Sequence, residues 1–176
     1  MNNFYKLIKT RRFIRSNLRV CLGSSRGTGE VSGNRILSEY GLTVPEIKYH
    51  GFSLFSKKHN ELIIYKRLSE YCTVKEILSQ INHDDGKEIL FNVAKDFLLL
   101  VNNGIYFSDF HFNNVMINSS GDLCWVDSSV DKIKSKEEMV QKIDKRMKML
   151  REEAMQSNWI TQEQWEFFEK DINFSK

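Results

Sequence analysis

The chain has 176 residues, 41% of them hydrophobic and 28% charged, and a formal net charge of +3. That length and apolar content suffice for one core of ordinary size and a small second lobe, which excludes a disordered chain. Three cysteines, Cys21, Cys72 and Cys124, an odd total with no C-x-x-C pair, suggest neither a disulfide framework nor a zinc site and fit a reducing compartment.

The N-terminus, MNNFYKLIKTRRF, is basic but lacks a continuous apolar stretch, and the greasiest run, ILFNVAKDFLLLV, is broken by Asn92, Lys95 and Asp96. Neither a secretory leader nor a membrane span is expected. Residues 1 to 35 carry eight Lys/Arg against one acid, Glu30, so this end is a candidate anion-facing surface.

In chain order, FYKLIK (residues 4 to 9) has strand composition. A helix is expected from about Arg26 to Tyr40, where Ile36 and Leu37 supply an apolar face, Gly41 takes a left-handed cap and Pro45 prevents resumption. EIKYHGFSLF and ELIIYKRL, separated by the polar KKHN, predict a β-hairpin. After Leu68 the texture becomes helical: TVKEILSQI, then Gly86 to Asn102, with Leu90, Val93, Ala94, Phe97, Leu98 and Val101 at helical spacing. Ile105 to Phe107 reads as a short strand, and NVMIN and DLCWV flank the turn SSGD. A helix from about Ser135 to Met155 places Met139, Ile143, Met147, Leu150 and Ala154 on one face, and a last helix follows the N-cap Thr161.

The expectation is an α+β chain: residues 1 to 68 form a small β-rich part and residues 69 to 176 a mainly helical one, joined near residues 66 to 72. A small ligand would bind in the cleft between them. Within SDFHFNNVMINSSGDLCWVD, Asp109, Asn114 and Asp127 sit after a short strand, five residues on, and at the end of the next hairpin. Phosphoryl transfer needs such a set, because its catalysis is mainly positioning: one carboxylate faces the attacking hydroxyl, while an amide oxygen and a second carboxylate face Mg²⁺. A hairpin folding back would bring Asp127 beside Asn114.

The segment NGIYFSDFHFNNVMINSSGDLCWVD resembles the catalytic loop and metal-binding aspartate of the protein-kinase-like superfamily, and its D-x-H-x-x-N form resembles the lipopolysaccharide core kinases, which phosphorylate heptose or Kdo. SSRGTGEVSGNRILSEYGLTVPEIKYHG resembles the family's Ser-Arg, helix and Gly-hydrophobic-x-x-Pro passage, and LIKTRRF its phosphate-pairing lysine strand. The likeness covers roughly residues 4 to 170. It implies a protein-kinase-like bilobal fold with a truncated N-lobe and a helical C-lobe, and a cytoplasmic ATP- and Mg²⁺-dependent kinase. In that scheme Asp109 is the base or the group that orients the hydroxyl, with His111 a member of the motif. Asn114 and Asp127 hold Mg²⁺, and Lys9 pairs with Glu30 to hold the phosphates. Lys6 is the rival to Lys9, and Glu39 to Glu30. Adenine would lie near Tyr65 to Leu68. The implied partner is a lipopolysaccharide core glycolipid or another sugar.

The sequence departs from the family pattern in three places. Phe107 stands where a histidine is usual, Ser128 and Ser129 replace Phe-Gly, and too few residues precede Lys9 for a Gly-rich phosphate loop. Kinases of the aminoglycoside or choline type, and a non-catalytic pseudokinase or fragment, are therefore the alternatives. Asp109 and Asn114 as simple turn formers, and His111 as a buttress of backbone carbonyls, are the plainer roles for those residues. RRFIRSNLR interleaves apolar and basic residues and fits either a solvated face or a peripheral contact with an anionic membrane. Nucleic acid is not expected, because the aromatics are not spaced as a stacking platform.

Overall fold

The computed structural model of the protein describes residues 3–9, 13–53, 58–81, 83–157 and 159–172. The architecture is mixed α+β with small antiparallel sheets. The first sheet is built from β1 (Asn3–Lys9), β2 (Ile47–Phe52) and β3 (His59–Lys66) in the order β1-β3-β2. α1 (Phe13–Cys21) follows β1, and α2 (Arg26–Glu39) packs against β2 and β3. Next come β4 (Tyr71–Thr73), α3 (Val74–Leu78) and α4 (His83–Asn102), then β5 (Ile105–Phe107), β6 (Val115–Asn118), β7 (Leu123–Trp125) and β8 (Val130–Lys132). Finally α5 spans Lys136–Ser157 and α6 spans Gln162–Asp171. β4, β6 and β7 form a second sheet, and β5 pairs with β8.

Local chemistry sets most of these boundaries. Ser25 caps α2 by accepting from Thr28 N at 3.1 Å, and Gly41 leaves the helix at φ 83°. Thr73 and Thr161 each form a capping box, with Glu76 and Gln164 respectively. Gly121 takes φ 84° in the turn between β6 and β7.

Three elements were not expected. They are α1, β4, which begins inside the anticipated linker, and β8, which follows Ser128 and Ser129. Each is short, and β4 and β8 exist only as partners of distant strands: Cys72 opposite Ile117, Phe107 opposite Val130. Lys57, part of the anticipated KKHN turn, lies outside the described residues, and Asn60 belongs to β3.

Two apolar cores result among the described residues. The smaller joins Ile8, Ile63 and Tyr65 with Val31 and Ile47 beneath the first sheet. The larger is centred on α4, whose Leu90, Val93, Phe97 and Leu100 are fully buried, and each such side chain contributes about 1.5–3 kcal/mol. On α4 it is Leu100, not Leu98, that completes the buried face, because residue 100 lies one turn beyond Phe97 and two beyond Val93. The expected face of α5, from Met139 to Ala154, is buried throughout.

Candidate functional site

The loop after β5 is held by its phenylalanines. Phe110 stacks on Phe97 at 4.5 Å and on Trp125 at 5.8 Å, while Phe112 meets Phe168 at 5.0 Å and Trp159 at 5.1 Å. With Phe110 and Phe112 directed inward, Asp109 and His111 are left at the partly exposed side. Phe107 is also fully buried, edge-on to Trp125 at 5.5 Å. Aromatic packing thus anchors this loop.

Hydrogen bonds then tie Asp109, Asn114 and Asp127 into one neighbourhood. Asn114 Nδ2 donates to the Asp109 carbonyl at 2.9 Å, the bond of a turn former, and occupies the NH₂ end of the amide. Val126 N donates to the Asn114 carbonyl at 2.9 Å, which sets Asp127 one residue away. Ser108, before Asp109, donates from N to the Ser129 carbonyl at 2.9 Å and from Oγ to the same oxygen at 3.0 Å. Arg146 from α5 donates to the Ser108 carbonyl. The hairpin therefore does fold back beside the loop.

Asp127 itself has φ 56°, a left-handed conformation that aspartate tolerates better than most side chains. Helix α2 lies against this bend so closely that a Cβ on Gly33 would fall 1.7 Å from the Ser128 carbonyl oxygen. One turn earlier in α2, Glu30 is buried. Lys6 Nζ donates to its carboxylate at 3.0 and 2.9 Å and also contacts the Asp127 carboxylate. The Tyr65 hydroxyl donates to Glu30 as well, and burial first, then that carboxylate, pushes its pKa far above the ordinary phenol value.

The lysine in this cluster is Lys6, which corrects the expected Lys9–Glu30 pair. Side chains alternate along a strand, so Lys6 shares the face of β1 that buries Ile8, while Lys9 belongs to the other parity. Lys9 instead lines a separate depression with Arg19, Arg26 and Glu61. The parity of Ile8 was the sequence signal that selects Lys6. Glu39, the rival to Glu30, bonds Arg35 on the exposed face of α2. The Tyr65 partner had no sequence signal, since it comes from β3.

Lys6, Glu30 and Asp127 line a cavity of about 390 Å³. Its other walls include Phe4, Tyr65, Met116 and Val126, and residues 66–68 close one side. Asp109, Asn114 and His111 do not line it. His111 is half-buried, and burial holds its imidazole below the ordinary value although the Asp109 and Glu153 carboxylates pull the other way. Among the described residues no cluster of three His, Cys, Asp or Glu side chains gathers as a metal site.

Neither a protein-family model nor a curated protein matches the chain.

Proposed function

We propose that the chain is an ATP-dependent phosphotransferase of protein-kinase-like, bilobal architecture that acts on a sugar hydroxyl. The heptose or Kdo of a lipopolysaccharide core is the acceptor class its motifs resemble. One observation carries this reading: Lys6, Glu30 and Asp127, from a strand, a helix and a hairpin end, meet in the wall of a predominantly apolar cavity that Asn34, Lys66, Arg67 and Ser128 also line. A purine fits the apolar part against the backbone of residues 66–68, and the Lys6 ammonium offers a cation to the phosphates.

The donor set suits Mg²⁺, which takes hard oxygen ligands and few of them from protein. Asp127 would supply a carboxylate and Asn114 its amide oxygen, the end left over from the bond to Asp109. Bound there, Mg²⁺ would neutralise charge on the transferring phosphoryl group. Asp109, beside Asn114 and partly exposed, would orient the acceptor hydroxyl. His111, whose pKa burial lowers, transfers no proton in this scheme.

A second reading is a nucleotide-binding pseudokinase, favoured by the fact that Asp109 and Asn114 stand outside the cavity that Lys6 and Asp127 line. Thermal denaturation with ATP, with and without Mg²⁺, tests both, since a ligand of the native state raises the midpoint. The expected result is a metal-dependent rise that Asp127→Asn abolishes; asparagine tolerates the left-handed backbone but loses the charge. The same rise without ADP formation on any sugar acceptor assigns the second reading. No rise with ATP under either condition overturns both.

A further inference from the structure

Helix α1 is amphipathic in an unusual sense, because an apolar stripe faces away from the protein. Val20 is turned inward at 7% exposure, whereas Ile14 and Leu18 on the helix and Leu22, in the turn that follows Cys21 and bonded from its N to the Leu18 carbonyl, are 74%, 57% and 77% exposed. Arg15 and Arg19 lie beside that stripe and are exposed too, and α1 contains no acidic residue. Arg19 also shares a depression with Lys9 and Arg26, which extends the positive field around the helix.

We propose that α1 docks the protein on an anionic bilayer surface, with Ile14, Leu18 and Leu22 entering the acyl boundary and Arg15 and Arg19 at headgroup level. An exposed apolar stripe edged by arginines is the pattern of a helix lying in the interface plane. No described helix is long and apolar enough to cross a membrane, so the contact is peripheral. A second copy fits this face poorly: an isologous contact would bring Arg15 and Arg19 of both chains together with no α1 carboxylate between them. Three side chains also fall well short of the area of about 800 Å² per partner that a stable protein interface buries. This inference goes beyond the phosphotransferase reading and does not depend on it.

The test is vesicle flotation of the full chain without nucleotide, on phosphatidylcholine alone and on a two-to-one mixture with phosphatidylglycerol. Retention is expected only on the mixture, and it should fall as salt rises. Leu18→Asp, an exposed change that leaves the core intact, should lower the partition coefficient by at least about tenfold. Arg15→Gln and Arg19→Gln should each lower it about fivefold. Leu18→Trp should shift its emission to the blue on the mixed vesicles. Equal retention of Leu18→Asp, or equal retention on phosphatidylcholine alone, overturns the proposal. So does a concentration-dependent dimer that Leu18→Asp dissociates, which assigns the stripe to a second copy.

Discussion

The Lys6 ammonium lies 2.9 Å from one Glu30 carboxylate oxygen and 3.0 Å from the other while also touching the Asp127 carboxylate. One cation thereby holds a strand, a helix and a hairpin end at a single point. Removing it leaves the buried Glu30 carboxylate, among the described residues, with the Tyr65 hydroxyl as its hydrogen-bond donor, at a cost of roughly 1–3 kcal/mol.

Lys6→Met should therefore lower stability, abolish the Mg²⁺-dependent rise in melting midpoint with ATP, and reduce kcat/KM roughly a hundredfold or more. Lys9→Met should leave all three close to wild type. Thermal shift and steady-state assays on the pair decide between the lysines. A loss confined to Lys9→Met would restore the partnership first expected from the sequence.

Gly33 permits the contact between α2 and the bend at Asp127. Its Cβ would meet the Ser128 carbonyl oxygen at 1.7 Å, so Gly33→Ala must separate the two segments and should destabilise the protein by about 1–3 kcal/mol. Gly29, on the same helix with open space where its Cβ would stand, is the control. Gly29→Ala should stabilise by about 0.5–1 kcal/mol. Urea denaturation midpoints of the two variants should move in opposite directions.

Asp96 accepts the Trp125 indole N–H at 3.0 Å from beneath the hairpin, and burial raises its carboxyl pKa although that bond opposes the shift. Its pKa is thus higher in the folded than in the unfolded chain. Between the two values the folded state binds more protons, so stability falls as pH rises through that window, and the penalty persists above it. Asp96→Asn keeps an oxygen acceptor for Trp125 and removes the charge. It should be more stable than wild type at neutral pH, with the difference vanishing below the unfolded aspartate pKa of about 4. Chemical denaturation across pH measures this; a stability gap independent of pH would contradict the assignment.

Asp109 does not line the cavity that Lys6 lines, and its backbone carbonyl accepts from Asn114. If it acts on the acceptor hydroxyl, Asp109→Asn should lower kcat by orders of magnitude while ATP affinity changes little, as for a group engaged mainly in the transition state. Isothermal titration and initial rates separate the two. Lost nucleotide affinity would move Asp109 to the metal.

Much of the secondary structure is legible in the chain because it is written in local chemistry. The buried face of α5 follows from Met139, Ile143 and Met147 at helical spacing, α6 from the cap Thr161, and the end of α2 from Gly41. The loop containing Asp109 is legible from its place between the short strand Ile105 to Phe107 and the hairpin around SSGD. α1 is harder to recognise because its apolar stripe is turned away from the core, and β4 and β8 are three-residue strands defined only by partners far along the chain.

What the sequence determined by itself, then, is the set of elements with strong periodicity or caps and the spacing of Asp109, Asn114 and Asp127. Only the tertiary structure decided that Lys6 rather than Lys9 meets Glu30, that Tyr65 shares that carboxylate, and that Gly33 sits against Ser128. The physical reason is range. Periodicity and capping act within about one helical turn or two strand residues, whereas an ion pair across 121 positions depends on how the sheet, the helix and the hairpin pack together.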